Sequence, residues 1–387
     1  MYYFSLVGFF AIFSTTISKN PVLPLFSQAL GAGDAVIGMI AAVSPLAGIL
    51  FSFPVGVLSD HIGRKRLLVI SGLVFVSAPF LYLFITTPIW LVPVRFFHGT
   101  ATAILGPVIA AVIAERFPAK KGEILGQYSS ATLIGRMLAP LTGGWIILYL
   151  VLSPGLIPYQ AVYLVAALAA VPVFILTLVY HEDQSKPLDV PGYTVFYENM
   201  RTFFSNSRLR ATALIEMATY FAFGTFETFL PLFLLGKGID AGGIGIIFAV
   251  QVLIIAATKP VFGRLADRID KRIQILSGIL VLGGAVAVIP LGQTFVEFLV
   301  ASAVLGCGMA LSTVATSAYV ADLARCEAVG ASMGALSATM DIGHAAGPLC
   351  SGIIIMQLGY TIGFGASLLF ALAAAVCFAM SVRFAGR

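Results

Sequence analysis

The residues best placed to do chemistry in this sequence are ionisable side chains lodged inside long apolar runs. Glu216 and Glu227 share one run, eleven residues apart. On a helix that spacing turns about 20° past three full turns and covers roughly 16 Å along one face. Asp341 and His344 share another run, three residues apart, and would be neighbours on a helix surface. Lys19, Arg95, Arg136 and Lys259 bring the opposite charge from four further runs. An ionisable group in an apolar run of this length is costly, so it faces a cavity and pairs with a partner. Burial disfavours the ionised form of a carboxyl and a nearby cation restores it, so protonation can make or break a charge pair. A proton that competes with a ligand at such a pair links proton binding to a conformational equilibrium. Glu227, Asp341 and Glu216 are therefore the candidates for proton coupling. Lys19, Asn20, Arg136 and His344 are the candidates for lining a small-molecule cavity. Blander roles are open to some of these residues. Glu216 is within reach of Arg210 for a local pair, Arg95 could be a fixed packing cation, and Lys259 could snorkel. Glu297 begins its apolar run and needs no function.

The elements that must position these groups follow from composition. Charged residues are 10% of the 387 and apolar residues 59%, with a mean hydropathy of +1.02. Soluble domains carry about 25% charged residues, so this chain has too little polar surface to face water and lipid is its outer solvent. Crossing a bilayer takes about 20 apolar residues. Twelve stretches qualify: 3–29, 35–58, 67–86, 89–114, 121–150, 159–180, 209–235, 242–264, 273–291, 295–320, 328–357 and 360–382. The expected fold is an all-α membrane protein of twelve transmembrane helices. Met1 to Phe13 has no basic region of the kind that opens a cleaved signal, so the first span starts almost at the first residue. Cys307, Cys350 and Cys377 fall within spans and Cys326 beside one; none forms a CxxC pair, and all four read as small buried hydrophobes.

The net charge of +5 is topology rather than a nucleic-acid signal. Seventeen of the 22 Lys and Arg lie in loops on one side of the spans, including His61 to Arg66, Arg116 to Lys121, Arg264 to Arg272 and Arg325. That asymmetry puts both termini in the cytoplasm, and the short loops suit a prokaryotic inner (plasma) membrane. A nucleic-acid groove would need a continuous basic face with stacking aromatics, which the sequence lacks. The single long polar segment, 181–208, divides an N-terminal six-helix bundle, 1–180, from a C-terminal one, 209–387. Val195, Phe196, Met200, Phe203 and Phe204 could line one face of a short surface helix within it.

The halves are copies. At an offset of 207, Leu23-Pro24-Leu25-Phe26 falls on Leu230-Pro231-Leu232-Phe233, Gly38 on Gly245, Gly56 on Gly263, Asp60 on Asp267, Gly99 on Gly306 and Glu115 on Asp322. At 208, Gly126, Gly135, Pro140 and Gly144 fall on Gly334, Gly343, Pro348 and Gly352. Matches in one register across successive spans mark a parallel repeat of six helices. Glu227 aligns with Asn20 and Arg136 with His344, so polar residues recur at matching depths.

Three motifs carry a resemblance. Gly56-Val57-Leu58-Ser59-Asp60-His61-Ile62-Gly63-Arg64-Lys65-Arg66 follows the second span. A looser copy runs from Gly263 through Asp267 and Lys271 to Arg272, with Asp270 in place of glycine, so this copy should turn differently. Arg95-Phe96-Phe97-His98-Gly99 lies in the fourth span, and Gly135-Arg136-Met137-Leu138-Ala139-Pro140-Leu141-Thr142-Gly143-Gly144 in the fifth. Over essentially its whole length the chain resembles the major facilitator superfamily, and its fifth-span motif is similar to that of the drug-exporting antiporters, except for Ala139 where they have glycine. The resemblance implies two six-helix bundles with a site near the midplane, faced by the first, fifth, seventh and eleventh spans. It gives Gly56, Asp60, Gly63, Arg64 and Lys65, with Gly263, Asp267 and Lys271, the role of a cytoplasmic latch. It gives Arg95, Gly99, Pro140, Gly143 and Gly144 the places of the helix-four and helix-five motifs.

These readings converge on a secondary active transporter: a proton-coupled antiporter that exports drugs or small amphipathic metabolites by alternating access. The alternative is a proton symporter importing a small organic anion clamped by Lys19 and Arg136. A non-transporting sensor or assembly factor on the same scaffold is a third reading. HExxH and Walker A patterns are absent from the sequence, so neither an enzyme, a cofactor nor a metal is expected. The partners expected are a small-molecule substrate, protons and the lipid bilayer, with no nucleic acid and no need of an oligomer.

Overall fold

The computed structural model describes residues 2–181, 193–324 and 329–384, and they hold α-helices and short 3-10 turns but no strand. The helices are α1 (Tyr2–Ile17), α2 (Val22–Ala29), α3 (Asp34–Ile62), α4 (Arg64–Tyr82), α5 (Leu91–Arg116), α6 (Lys121–Tyr149), α7 (Ile157–Val179), α8 (Tyr193–Ser205), α9 (Ser207–Gly236), α10 (Ala241–Ala266), α11 (Lys271–Val288), α12 (Phe295–Leu323), α13 (Val329–Leu358) and α14 (Tyr360–Phe384). Lipid offers backbone groups no partner, so a spanning segment must satisfy its own N–H and C=O groups as a helix. Eleven helical stretches among the described residues are long and apolar enough to cross. The remaining expected span is α13, whose Asp341, His344 and many small residues lower its hydropathy. Large apolar side chains such as Leu168, Ile175, Leu369 and Val376 are exposed, as a lipid solvent permits.

The first span departs from the single helix expected over 3–29. It breaks between α1 and α2 at the Asn20–Pro21 peptide, which is cis. Pro21 has no N–H to give, and the residue before a proline is pushed out of helical conformation. The Lys19 and Asn20 amides both donate to the Thr16 carbonyl, at 3.0 and 2.8 Å. Leu23 N–H then donates to the Lys19 carbonyl at 3.0 Å and the helix resumes.

The chain divides into two compact units, one of residues 1–190 with 234–249 and the other of 191–233 with 250–387. In the first, α1 packs on α6 and α7, α3 on α5, and α4 on α5 and α7; in the second, α11 packs on α12 and α14, and α13 on α8, α12 and α14. The sequence repeat is reproduced as a repeat of contacts. A Cβ on Gly99 would stand 2.9 Å from the Ser44 carbonyl oxygen of α3, and one on Gly306 2.8 Å from the Gln251 carbonyl oxygen of α10. Ser44 and Gln251 are themselves 207 apart, so the same helix pair touches at the same register in each unit.

The loop after α3 and its copy after α10 diverge as Asp270 requires. Gly63 turns the chain at φ +93°, a region that favours glycine. Asp270 has φ −60° and instead caps α11, its side chain accepting from Arg272 N–H at 2.9 Å. Past the turn, Arg64 pairs with Glu115 at the end of α5, and at the same offset Lys271 pairs with Asp322 of α12 at 2.9 Å. Each of these pairs lies within one unit. The Arg64 pair is nearly buried, whereas the Asp322 side chain is 58% exposed. Arg64→Ala should therefore cost about 3–5 kcal/mol by breaking a buried pair, and Lys271→Ala about 0.2–1 kcal/mol. Thermal unfolding of the purified variants in detergent checks the contrast.

In the expected linker, α8 seats Phe203 among Leu209, Ala213, Val320, Ala335 and Leu336, with Met200 beside it. Phe204 does not share that face and is exposed. Cys350 and Cys377 are exposed rather than buried and Cys307 is half-buried, since a thiol facing lipid needs no cover. The side chains of Gly56, Asp60, Val195 and Phe196 lie outside the described residues, as do Arg325, Cys326 and 182–192.

Candidate functional site

Glu216, Tyr220, Gly224 and Glu227 recur at helical spacing on α9. Glu227 is buried, and its Oε2 lies 2.9 Å from His344 Nε2 of α13. At that separation one proton is shared between the pair, carried either by the imidazole facing a carboxylate or by the carboxyl facing a bare nitrogen. The two forms differ in charge separation, which is what a proton-operated device needs.

Small residues make the approach possible. A Cβ on Gly224 would stand 2.9 Å from the His344 carbonyl oxygen and 3.1 Å from its ring Cδ2. Tyr220 and Phe223 flank the imidazole, with ring centroids 6.1 and 5.8 Å away. Thr225, two residues before Glu227, and Ser351, two turns after His344, join their hydroxyls at 2.8 Å and tie α9 to α13. Asp341 precedes His344 by one helical turn and is half-buried.

Glu216 is held by different partners. The Thr316 hydroxyl of α12 donates to its Oε2 at 2.6 Å, and the Lys259 charge acts on it from α10. The local pair with Arg210 does not form: that guanidinium turns back and donates to the Phe204 carbonyl at 3.2 Å. Thr219 and Ser312 hydroxyls meet at 3.0 Å nearby, so α9 is tied to α12 as well. Glu297 has the local role its position suggested, closing a capping box with Thr294 at the start of α12.

Among the cavity candidates of the first unit, Lys19 and Asn20 occupy the break between α1 and α2, Asn20 buried and Lys19 half-buried, while Arg136 on α6 is exposed. The fifth-span glycines are packing surfaces. Gly143 lies against Ile17 and Val22, where a Cβ would stand 3.3 and 3.2 Å away. Gly144 lies against Ala241, and the Pro140 carbonyl against Gly245. Arg95 is buried on α5 beside Tyr82 and His98, one turn from Gly99. Gly263 has open space around it and Asp267 is exposed.

Sequence spacing places His344 beside Asp341, and the structure joins it to Glu227. The sequence pattern does not single out Tyr220, Phe223 and Thr316. Gly224, spaced with Tyr220 and Glu227 on one face, was the available sign that another backbone approaches there. Among the described residues no group of three or more His, Cys, Asp or Glu is arranged to hold a metal.

Comparison with known proteins agrees with this architecture. The family model described as Major Facilitator Superfamily matches residues 4–243 and 212–385. An uncharacterized MFS-type transporter of Methanocaldococcus jannaschii is 25% identical over 343 residues, covering 88% of this chain and 87% of its own. Multidrug resistance protein 1 of Bacillus subtilis is 25% identical over 337 residues, covering 86% and 84%. A crystal structure of the nucleoside transporter NupG has the same fold, with a TM-score of 0.83 over 98% of each chain at 15% identity. With eleven membrane-length apolar helical stretches among the described residues, a sequence repeat and ionisable pairs between its helices, this many-span membrane protein belongs to the Major Facilitator Superfamily of transporters.

Proposed function

We propose that this chain is a proton-coupled antiporter that exports drugs or small amphipathic metabolites, cationic ones foremost. The observation that carries the reading is the Glu227–His344 pair, a buried carboxylate sharing a proton with an imidazole on a neighbouring helix. A cation resting against Glu227 needs the carboxylate ionised. Proton uptake removes that charge and with it the attraction, so proton and cation occupy the site in turn. Exclusive occupancy at one group is the elementary requirement of antiport. Asp341 adds a second acid one turn away, and Tyr220 and Phe223 offer ring faces that favour organic cations. Glu216 serves as a second proton station on α9. Lys19, Asn20 and Arg136 contribute substrate contacts from the first half, and residues 1–180 and 209–387 act as the two working bundles. The likeness to a Bacillus subtilis multidrug resistance protein supports export. The protein works as a monomer in a plasma membrane with both termini in the cytoplasm.

Proteoliposomes containing an internal pH dye test the direction of coupling. Addition of a lipophilic cation should move protons the opposite way across the membrane. The break at Lys19 and Asn20, together with the accessible Arg136, favours a second reading in which a small organic anion enters with protons. Co-directional proton entry with an added anion, and no response to cations, replaces the first reading with the second.

A further inference from the structure

Tyr82 at the end of α4, Arg95 and His98 on α5, and Tyr163 on α7 form a buried polar cluster that the transport chemistry above does not use. All four are at most 2% exposed. The Tyr82 and Tyr163 rings stack at 4.2 Å and 6°. Arg95 and His98 are neighbours one turn apart on α5, and the Tyr82 hydroxyl oxygen lies 3.5 Å from His98 Nδ1. A guanidinium can only donate. With the Tyr82 hydroxyl donating to Nδ1, the ring proton of His98 sits on Nε2. Three donors then have no protein partner among the described residues: Arg95 Nε–H, His98 Nε2–H and the Tyr163 hydroxyl. The His98 ring centroid is 6.0 Å from that of Tyr82, on which Tyr163 stacks, so the three donors belong to one cluster. No carboxylate among the described residues forms an ion pair with Arg95.

The scaffold does not require this polarity. At the offset of 207, Tyr82, Arg95 and His98 fall on Ile289, Ser302 and Leu305 of the second half, which are 2%, 1% and 0% exposed. The same place in the repeat is thus packed tightly with no charge. Buried donors are normally satisfied, and a buried cation is normally paired. An anion answers both demands where water answers only one. We propose that Arg95, His98 and Tyr163 bind a small inorganic anion of halide size inside the first unit. The anion accepts from the three donors, supplies the counter-charge that Arg95 lacks, and ties α4, α5 and α7 together.

Thermal unfolding of the purified full chain in detergent tests this, with sodium chloride or bromide replaced by gluconate at constant ionic strength. Halide should raise the melting temperature saturably and gluconate should not. Tyr163→Phe keeps the stacked ring and removes one donor, so it should raise the half-saturating halide concentration about tenfold, the effect of losing one hydrogen bond to a charged group. Arg95→Gln should abolish the halide dependence; if that variant fails to fold, Tyr163→Phe still decides. Equal melting of the unaltered protein in chloride and gluconate overturns the proposal and leaves ordered water on the donors. A halide response unchanged by Tyr163→Phe also overturns it, because the anion is then bound elsewhere.

Discussion

Glu227→Gln should abolish substrate accumulation driven by a pH gradient while leaving substrate exchange at equal pH on the two sides, at a higher half-saturating substrate concentration because the carboxylate charge is gone. Glutamine keeps the volume of the side chain and can still hydrogen-bond His344, so the packing of α9 on α13 should survive. It cannot gain or lose a proton, however, and the shared proton at 2.9 Å is the feature on which coupling rests. Coupling free energies between sites of this kind run to about 1–3 kcal/mol, or about 5–150-fold in affinity. A gradient of protons should therefore lose that much leverage over substrate binding. Gradient-driven and equilibrium-exchange fluxes measured on the same proteoliposomes separate the two effects. Undiminished accumulation in Glu227→Gln would remove Glu227 from the mechanism. Loss of both fluxes even at saturating substrate would make it a substrate contact alone, with no separate part in coupling. Asp341→Asn and Glu216→Gln, measured beside it, should keep part of the gradient response, because neither removes the shared proton.

The architecture was legible because lipid imposes strong rules on sequence. Apolar runs of the right length, and glycines recurring at 207 and 208, led to the helices and their repeat. The break at Asn20–Pro21 was hidden by that same repeat: Leu23-Pro24-Leu25-Phe26 matches Leu230-Pro231-Leu232-Phe233, where α9 runs on unbroken. Spacing fixes which residues neighbour one another along a helix but not which way a ring turns between helices. Hence spacing alone places His344 beside Asp341, whereas its bond to Glu227 is made by the packing of α9 on α13. Arg210 and Glu216 show the same limit. Their spacing allowed a pair, but a backbone carbonyl and the Thr316 hydroxyl each outcompeted it. Tyr82 and Tyr163 are far apart in sequence, and only the packing of α4 on α7 stacks them.

Identical Gly→Ala substitutions on α13 should have opposite signs, and the one at Gly343 should undo the candidate site. Alanine is intrinsically better than glycine inside a helix by roughly 0.5–1 kcal/mol. At Gly334, where a Cβ would meet nothing within 4 Å, that gain should be realised as a higher melting temperature. At Gly343 the Cβ would run into the Met217 carbonyl oxygen of α9, with the Met217 carbonyl carbon and Cα 2.9 and 3.0 Å away. Those atoms are backbone, so no side chain can swing aside and the helices must part. Overpacking costs about 1–3 kcal/mol where neighbours can adjust, and the rigid contact puts Gly343→Ala at or above the top of that range. In a membrane, close helix approach through small residues replaces the hydrophobic effect as the force between helices. Separation of α9 and α13 by even part of an ångström would also draw His344 away from Glu227, so Gly343→Ala should lose gradient-driven transport along with stability. Gly135→Ala should repeat the stability loss in the first half, since its Cβ would stand 2.7 Å from the Phe9 carbonyl oxygen. Phe9 and Met217 are 208 apart, as are Gly135 and Gly343, so the two glycines perform the same task in the two copies. Melting of Gly343→Ala at the temperature of Gly334→Ala would mean that α9 and α13 do not approach this closely, and the geometry of the Glu227–His344 pair would fall with it.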